Sequence, residues 1–171
     1  MDQVLASIGQ SEHRYTPMQL CSYVAAVANK GTRYAATFMK RVVSSDYSTL
    51  VEENQREVLS VTNMSAETVA AVFDGMHQVT SAPGGSGLSA FRGFEIEVCG
   101  KTGTAEHESG GSSNGAFVCF APMDDPEIAI AVYGEKAGSG SYMARVARKI
   151  MEYYFSSDEL SDSVTYENKV G

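Results

Sequence analysis

Four consecutive residues hold the chemistry this chain can offer: Lys101, Thr102, Gly103 and Thr104, inside the stretch Glu95-Ile96-Glu97-Val98-Cys99-Gly100-Lys101-Thr102-Gly103-Thr104-Ala105-Glu106. A cation beside two hydroxyls is a donor set for an anion, because ammonium and hydroxyl groups both donate to carboxylate oxygens. The stretch reads as a strand, and the period of two places Thr102 and Thr104 on one face and Lys101 and Gly103 on the other. The hydroxyls then grip a ligand carboxylate while the ammonium lies beneath it. Gly103, with no side chain, lets a substrate backbone lie close against the strand.

Two other readings compete for the same residues. Gly100-Lys101-Thr102 has the ending of a phosphate-binding loop, but G-x-x-x-x-G-K-[ST] requires glycine at position 95, where this chain has Glu95. That loop also needs a helix after its Lys-Thr pair. Here a Gly/Ser run follows, and then the apolar Phe117-Val118-Cys119-Phe120. An edge strand blunted against aggregation by Lys and Thr would explain the triplet taken alone.

The surrounding sequence is more specific than the triplet. Lys101-Thr102-Gly103-Thr104-Ala105-Glu106 is preceded by Ile8-Gly9-Gln10 and Thr16-Pro17-Met18-Gln19-Leu20 and followed by Phe117-Val118-Cys119-Phe120-Ala121-Pro122. In order and spacing these blocks resemble the transpeptidase domain of class B penicillin-binding proteins, from about Ile8 to about Phe155. The resemblance implies an α+β fold of the penicillin-binding protein and serine β-lactamase type. It implies a serine D,D-transpeptidase that acylates on the D-Ala-D-Ala end of a peptidoglycan stem peptide, passes the acyl group to an amine, and is trapped by β-lactams.

Residue roles follow from the same resemblance. By motif position the backbone N–H of Thr104 enters the oxyanion hole, and the hydroxyls of Thr102 and Thr104 bind the substrate carboxylate beside Gly103. Lys101 holds the anion and tunes proton transfer. No cofactor or metal is implied, and the parent protein is expected on the extracytoplasmic face of the bacterial membrane, anchored upstream.

The family's nucleophile stands in S-x-x-K and its second hydroxyl in S-x-N, both ahead of Lys-Thr-Gly, and S-x-x-K occurs nowhere in this chain. Ser112-Ser113-Asn114 fits S-x-N by letters but follows the strand, so we read it as a hairpin connection. The chain is therefore expected to be the C-terminal portion of a transpeptidase domain over 1–155, with a polar acidic tail over 156–171. Its expected partners are the missing N-terminal half, the stem peptide and β-lactams. Alone, without the serine, it is expected to be inactive. The alternative is a penicillin-recognising sensor or a degenerate binding module, which would use Lys-Thr-Gly without the synthase's other parts.

Composition sets the outer bounds. A chain of 171 residues with 43% hydrophobic residues suits one domain with a real core. Its net charge of −8, with no basic stripe, disfavours nucleic acid and anionic lipid as partners. Cys21, Cys99 and Cys119 lack metal-ligand spacing and read as buried free thiols, and His13, His77 and His107 are scattered. No run is long enough to span a membrane, and Met1-Asp2-Gln3-Val4 lacks a signal peptide's features, although a chain that begins inside a domain would lack them anyway.

The elements that must position the strand are legible in outline. Thr16 and Pro17 open a helix with Met18, Leu20, Cys21, Val24, Val27 and Ala28 as its core face, ending at Gly31. Residues 38–51 suggest a surface hairpin about Ser44–Ser48. Ser65 caps a helix with the stripe Val69, Val72, Phe73, Met76 and Val79, where Gly75 is expected to allow close backbone approach. Ser81-Ala82-Pro83-Gly84-Gly85-Ser86-Gly87 is expected as a loop too glycine-rich to bury, rimming the site. The central strand, the run 116–121 and the alternating 127–133 make an antiparallel meander of three strands. A helix with the stripe Met143, Val146, Ala147, Ile150, Met151 and Tyr154 is expected to cover it, and one sheet edge or face is expected to stay open.

Overall fold

The computed structural model describes residues 14–105 and 111–163, except for the side chains of 157–163. The Ile8-Gly9-Gln10 block, Glu106 and the last residues of the tail lie outside the described residues.

Helix α1 (Pro17–Ala28) begins as its sequence dictates. Thr16 Oγ1 accepts from Gln19 N–H at 3.2 Å while Gln19 Oε1 accepts from Thr16 N–H at 2.8 Å, a reciprocal capping box. The chain leaves the helix through Gly31, whose φ of +104° suits glycine and whose Cβ, if present, would sit 2.0 Å from Thr62 O. Four short strands follow: β1 (Thr32–Tyr34), β2 (Arg41–Val43), β3 (Leu50–Glu53) and β4 (Val58–Val61). They form two separate two-stranded sheets, β1 with β4 and β2 with β3. The β2–β3 hairpin is the expected one. In its turn Asp46 accepts from Ser44 Oγ and, at 2.8 Å, from Ser48 Oγ.

Helix α2 (Ala66–Ser81) is capped by Ser65, whose hydroxyl accepts from Thr68 N–H at 3.2 Å. Gly75 does not serve close approach as expected: a Cβ there would meet nothing within 4 Å, because that face of the helix is open. The following loop, 81–87, is largely exposed as expected, with buried Gly87 at its end the exception. It leads into a short helix, α3 (Leu88–Phe91).

Strands β5 (Cys99–Ala105), β6 (Asn114–Ala121) and β7 (Ile128–Gly134) form the expected antiparallel meander, in the order β5-β6-β7. The first strand starts at Cys99, so Glu95 to Val98 precede it rather than belong to it. Helix α4 (Gly140–Ser163) covers one face and runs past Phe155 into the acidic segment expected as a frayed tail. Its buried side chains are Ala144, Ala147 and Met151, while Val146 and Ile150 are 45% and 42% exposed, which corrects the expected stripe. The cause is close contact at the start of the helix. A Cβ on Gly140 would fall 2.4 Å from Ala116 O and 2.5 Å from Gly103 O, so small residues meet the sheet and set the helix rotation.

The meander separates two apolar layers. On the α4 side Phe91, Val98, Phe117, Cys119 and Ile130 pack with Ala144, Ala147 and Met151. On the opposite side Ala28, Phe73, Cys99 and Phe120 pack together, and the Phe73 and Phe120 rings lie 4.8 Å apart. Arg148 ties α4 to α3 by donating from Nη1 to Ala90 O and Arg92 O at 2.8 and 2.9 Å. Of the expected face of α1, Val24 and Ala28 are buried, but Met18 is 52% exposed.

Candidate functional site

Strand β5 is an edge: it pairs with β6 from Cys99↔Phe120 to Ala105↔Asn114, and among the described residues no strand pairs its other side. An edge strand leaves alternate N–H and C=O groups free to pair with an extended ligand. The side chains alternate as the period of two requires. Cys99 Sγ contacts Phe73 O on the α2 side at 3.4 Å, whereas a Cβ at Gly100 would run into the Phe117 ring of the α4 layer at 2.5 Å. Thr102 and Thr104 share the face of Gly100, and Lys101 and Gly103 share the face of Cys99.

Each hydroxyl of β5 has a partner behind it. Thr104 Oγ1 accepts from Gly140 N–H, at the start of α4, at 3.3 Å. Thr102 Oγ1 lies 2.7 Å from Ser86 Oγ, in the loop after α2. Lys101 is exposed, and its Nζ donates to Thr102 O at 2.6 Å. The four residues singled out in the sequence are thus brought to one open stretch of strand. Ser86 joins them, and only its place in a loop expected to rim the site hinted at it.

The strand is held from its N-terminal end. Thr80, the one buried polar residue among those described, directs its hydroxyl toward Val98 O, and Thr80 Oγ1 also lies 2.9 Å from His77 O. This joins the last turn of α2 to the residue before β5. The glycines divide by purpose. Gly100, Gly115 and Gly140 have no room for a Cβ, which would come within 2.4 to 2.7 Å of packed atoms. A Cβ on Gly103 would meet only Ala116 Cβ at 3.5 Å, an ordinary contact, so packing within the chain does not require glycine there.

Ser112-Ser113-Asn114 serves the hairpin connection, as expected. Asn114 opens β6 and its Oδ1 accepts from Lys136 N–H at 2.9 Å, while Ser113 O accepts from Gly138 N–H at 2.8 Å. The three cysteines are free thiols. Burial pushes the Cys99 thiol up to about 12, with the Glu97 carboxylate adding to it, and burial raises Cys119 and Cys21 as well. Neutral thiols of this kind are poor nucleophiles. Among the described residues there is no cluster of three metal-ligating side chains and no helix long and apolar enough to cross a membrane. A cavity of about 610 Å³ lies between α1 and the β1–β4 sheet, lined in part by Met18, Tyr23, Arg33 and Leu59, but none of the four β5 residues lines it.

Residues 1–152 match the family model described as the penicillin binding protein transpeptidase domain. Penicillin-binding protein 2B of Streptococcus pneumoniae is 34% identical over 137 residues, covering 74% of this chain and 20% of that protein. Peptidoglycan D,D-transpeptidase MrdA of Haemophilus influenzae is 30% identical over 173 residues, covering 91% of this chain and 26% of that protein. Among solved structures, the imipenem acyl-enzyme complex of penicillin-binding protein A from M. tuberculosis superposes with a TM-score of 0.72 at 22% identity, over 88% of this chain and 33% of that one. The chain therefore spans a fifth to about a quarter of the length of these curated relatives, and its α+β architecture is that of penicillin-binding transpeptidase domains.

Proposed function

The chain belongs to the transpeptidase-domain family of class B penicillin-binding proteins, and from that premise we propose that it supplies the substrate-binding strand of a serine D,D-transpeptidase. In this reading it is the C-terminal portion of the domain. The nucleophilic serine belongs to an N-terminal half that docks against it on the extracytoplasmic face of the membrane. The substrate is the D-Ala-D-Ala end of a stem peptide, and β-lactams take the same place.

The observation that carries the reading is the open edge of β5, with Lys101, Thr102 and Thr104 along it and no side chain at Gly103. A peptide laid antiparallel on that edge gains backbone hydrogen bonds, and Gly103 leaves it room. The hydroxyls of Thr102 and Thr104 bind the terminal carboxylate, with the Lys101 ammonium as counter-charge. To reach it, Lys101 exchanges its contact with Thr102 O for the anion. When the serine attacks the penultimate carbonyl, the Thr104 N–H stabilises the oxyanion, a contribution typically worth ~3 kcal/mol per donor. The intermediate collapses by breaking the C–N bond, so the terminal D-Ala leaves with a proton, and an amine then takes the acyl group from the serine, which regains its proton.

This chain alone carries no activated nucleophile: none of its serines has a lysine three residues on. Incubated with a fluorescent penicillin, it is expected to show no covalent adduct by intact mass. Adding the N-terminal half in trans is expected to restore acylation of a serine in that half. A stoichiometric adduct on this chain alone would overturn the assignment.

A further inference from the structure

A threonine hydroxyl has one proton, and it is available to a ligand only when it is not already given to another acceptor. At Thr104 this is settled, because its partner Gly140 N–H can only donate, so the Thr104 proton is free to turn outward. Thr102 faces another hydroxyl instead. Ser86 Oγ lies 2.7 Å away, and either oxygen can be the donor. Without a ligand either orientation closes the Ser86–Thr102 bond. A carboxylate beside Thr102 selects the one in which Ser86 donates to Thr102 and Thr102 donates to the anion, since charge-assisted bonds are the stronger.

Ser86 is also fixed where this requires it. Gly85 N–H donates to Ala82 O and Gly87 N–H to Val79 O, both at 2.9 Å, pinning the loop on either side of Ser86 to the end of α2. A Cβ on Gly85 would lie 2.5 Å from Gln78 O and Val79 O, so the loop backbone is pressed flat on the helix. The same end of α2 is joined to β5 through Thr80 and Val98 O. Loop and strand therefore keep a common register, and the hydroxyl pair spans the two.

We propose that Ser86 is a positioning residue for substrate recognition: it donates to Thr102 Oγ1 and so turns the Thr102 proton toward the ligand carboxylate. This rests on the reading of Thr102 as a carboxylate donor, and the test separates the two. In the complete protein, acylation is followed with benzylpenicillin and with its carboxylate methyl ester, for wild type, Ser86→Ala, Ser86→Thr, Thr102→Val and the Ser86→Ala/Thr102→Val double variant. Ser86→Ala is expected to slow acylation by benzylpenicillin about tenfold, the upper scale of one neutral hydrogen bond. The loss is expected in the concentration needed for half-maximal rate rather than in the limiting rate. Ser86→Thr should keep near wild-type rates, the ester should not respond to Ser86→Ala, and the double variant should be no slower than Thr102→Val. If Ser86→Ala slows acid and ester alike, or its loss multiplies with that of Thr102→Val, the positioning role is overturned while the transpeptidase reading stands. If Thr102→Val acylates like wild type, the carboxylate role of Thr102 falls, and with it that of Ser86.

Discussion

A Cβ at position 103 would find ordinary space within the chain, yet Gly103 lies on the open stretch where a ligand backbone would rest. Gly103→Val in the complete protein is therefore expected to fold and to lose penicillin acylation by at least a hundredfold, the scale of a displaced oxyanion donor. Thermal unfolding beside a fluorescent-penicillin assay checks both halves of that statement. Thr80 is the opposite case, a residue with a purely internal task. Thr80→Val keeps the shape but leaves Val98 O without the hydroxyl, which should cost about 1–3 kcal/mol, read from a urea midpoint. Asp46 gives a pH signature. Hydrogen bonds from Ser44 and Ser48 lower its carboxyl to about 2. A folded-state value below the unfolded one means that the hairpin gains from the ionised form above about pH 4 and loses that gain as pH falls toward 2. A carboxyl-carbon NMR titration that places Asp46 at an ordinary carboxylate value would contradict the turn geometry.

At the scale of elements, the sequence spoke most clearly where one residue type has one local use. Thr16 with Pro17 and Gln19, and Ser65 with Thr68, mark helix starts because their hydroxyls satisfy N–H groups the helix leaves unpaired. Ser65→Ala is expected to lower stability by ~1 kcal/mol, measurable as a lower denaturant midpoint. The meander was legible from the apolar run of β6, the alternation of β7 and the short links between strands, and so was the separation of the β5 side chains onto two faces. The β1–β4 pair was not, since its strands are three and four residues long and β4 is exposed along its whole length, so burial imposes no period on them. The α4 face was misjudged for a related reason. Residue polarity alone points to Val146 and Ile150, whereas the contact of Gly140 with β5 and β6 turns Ala144 and Ala147 inward. The Ser86 contact is a tertiary meeting of loop and strand, 16 residues apart in the chain, and no periodicity encodes it.

Across the whole molecule, apolar side chains remain open to solvent on two of the helices. On α4, Tyr142, Val146, Ile150 and Tyr153 recur at helical spacing and are all exposed, and Met18 and Tyr23 are exposed on α1. Patches of this kind promote association. The isolated chain is expected to self-associate at micromolar concentration, and Val146→Glu/Ile150→Lys should shift it toward monomer in sedimentation velocity, because neither side chain is in the core.

The cysteines make the two layers separately observable. Cys99 belongs to the layer with Phe73 and Phe120 and Cys119 to the layer under α4, although Cys119 is the register partner of Gly100, the residue next to Cys99. Both thiols are fully enclosed, so alkylation requires the layer above to lift. Under native conditions the labelling rate of each is thus a clock for one side of the sheet, and mass mapping of the two sites reports whether α1 and α2 or α4 opens first. If the proposed N-terminal half docks on one of these faces, adding it should slow the clock on that face.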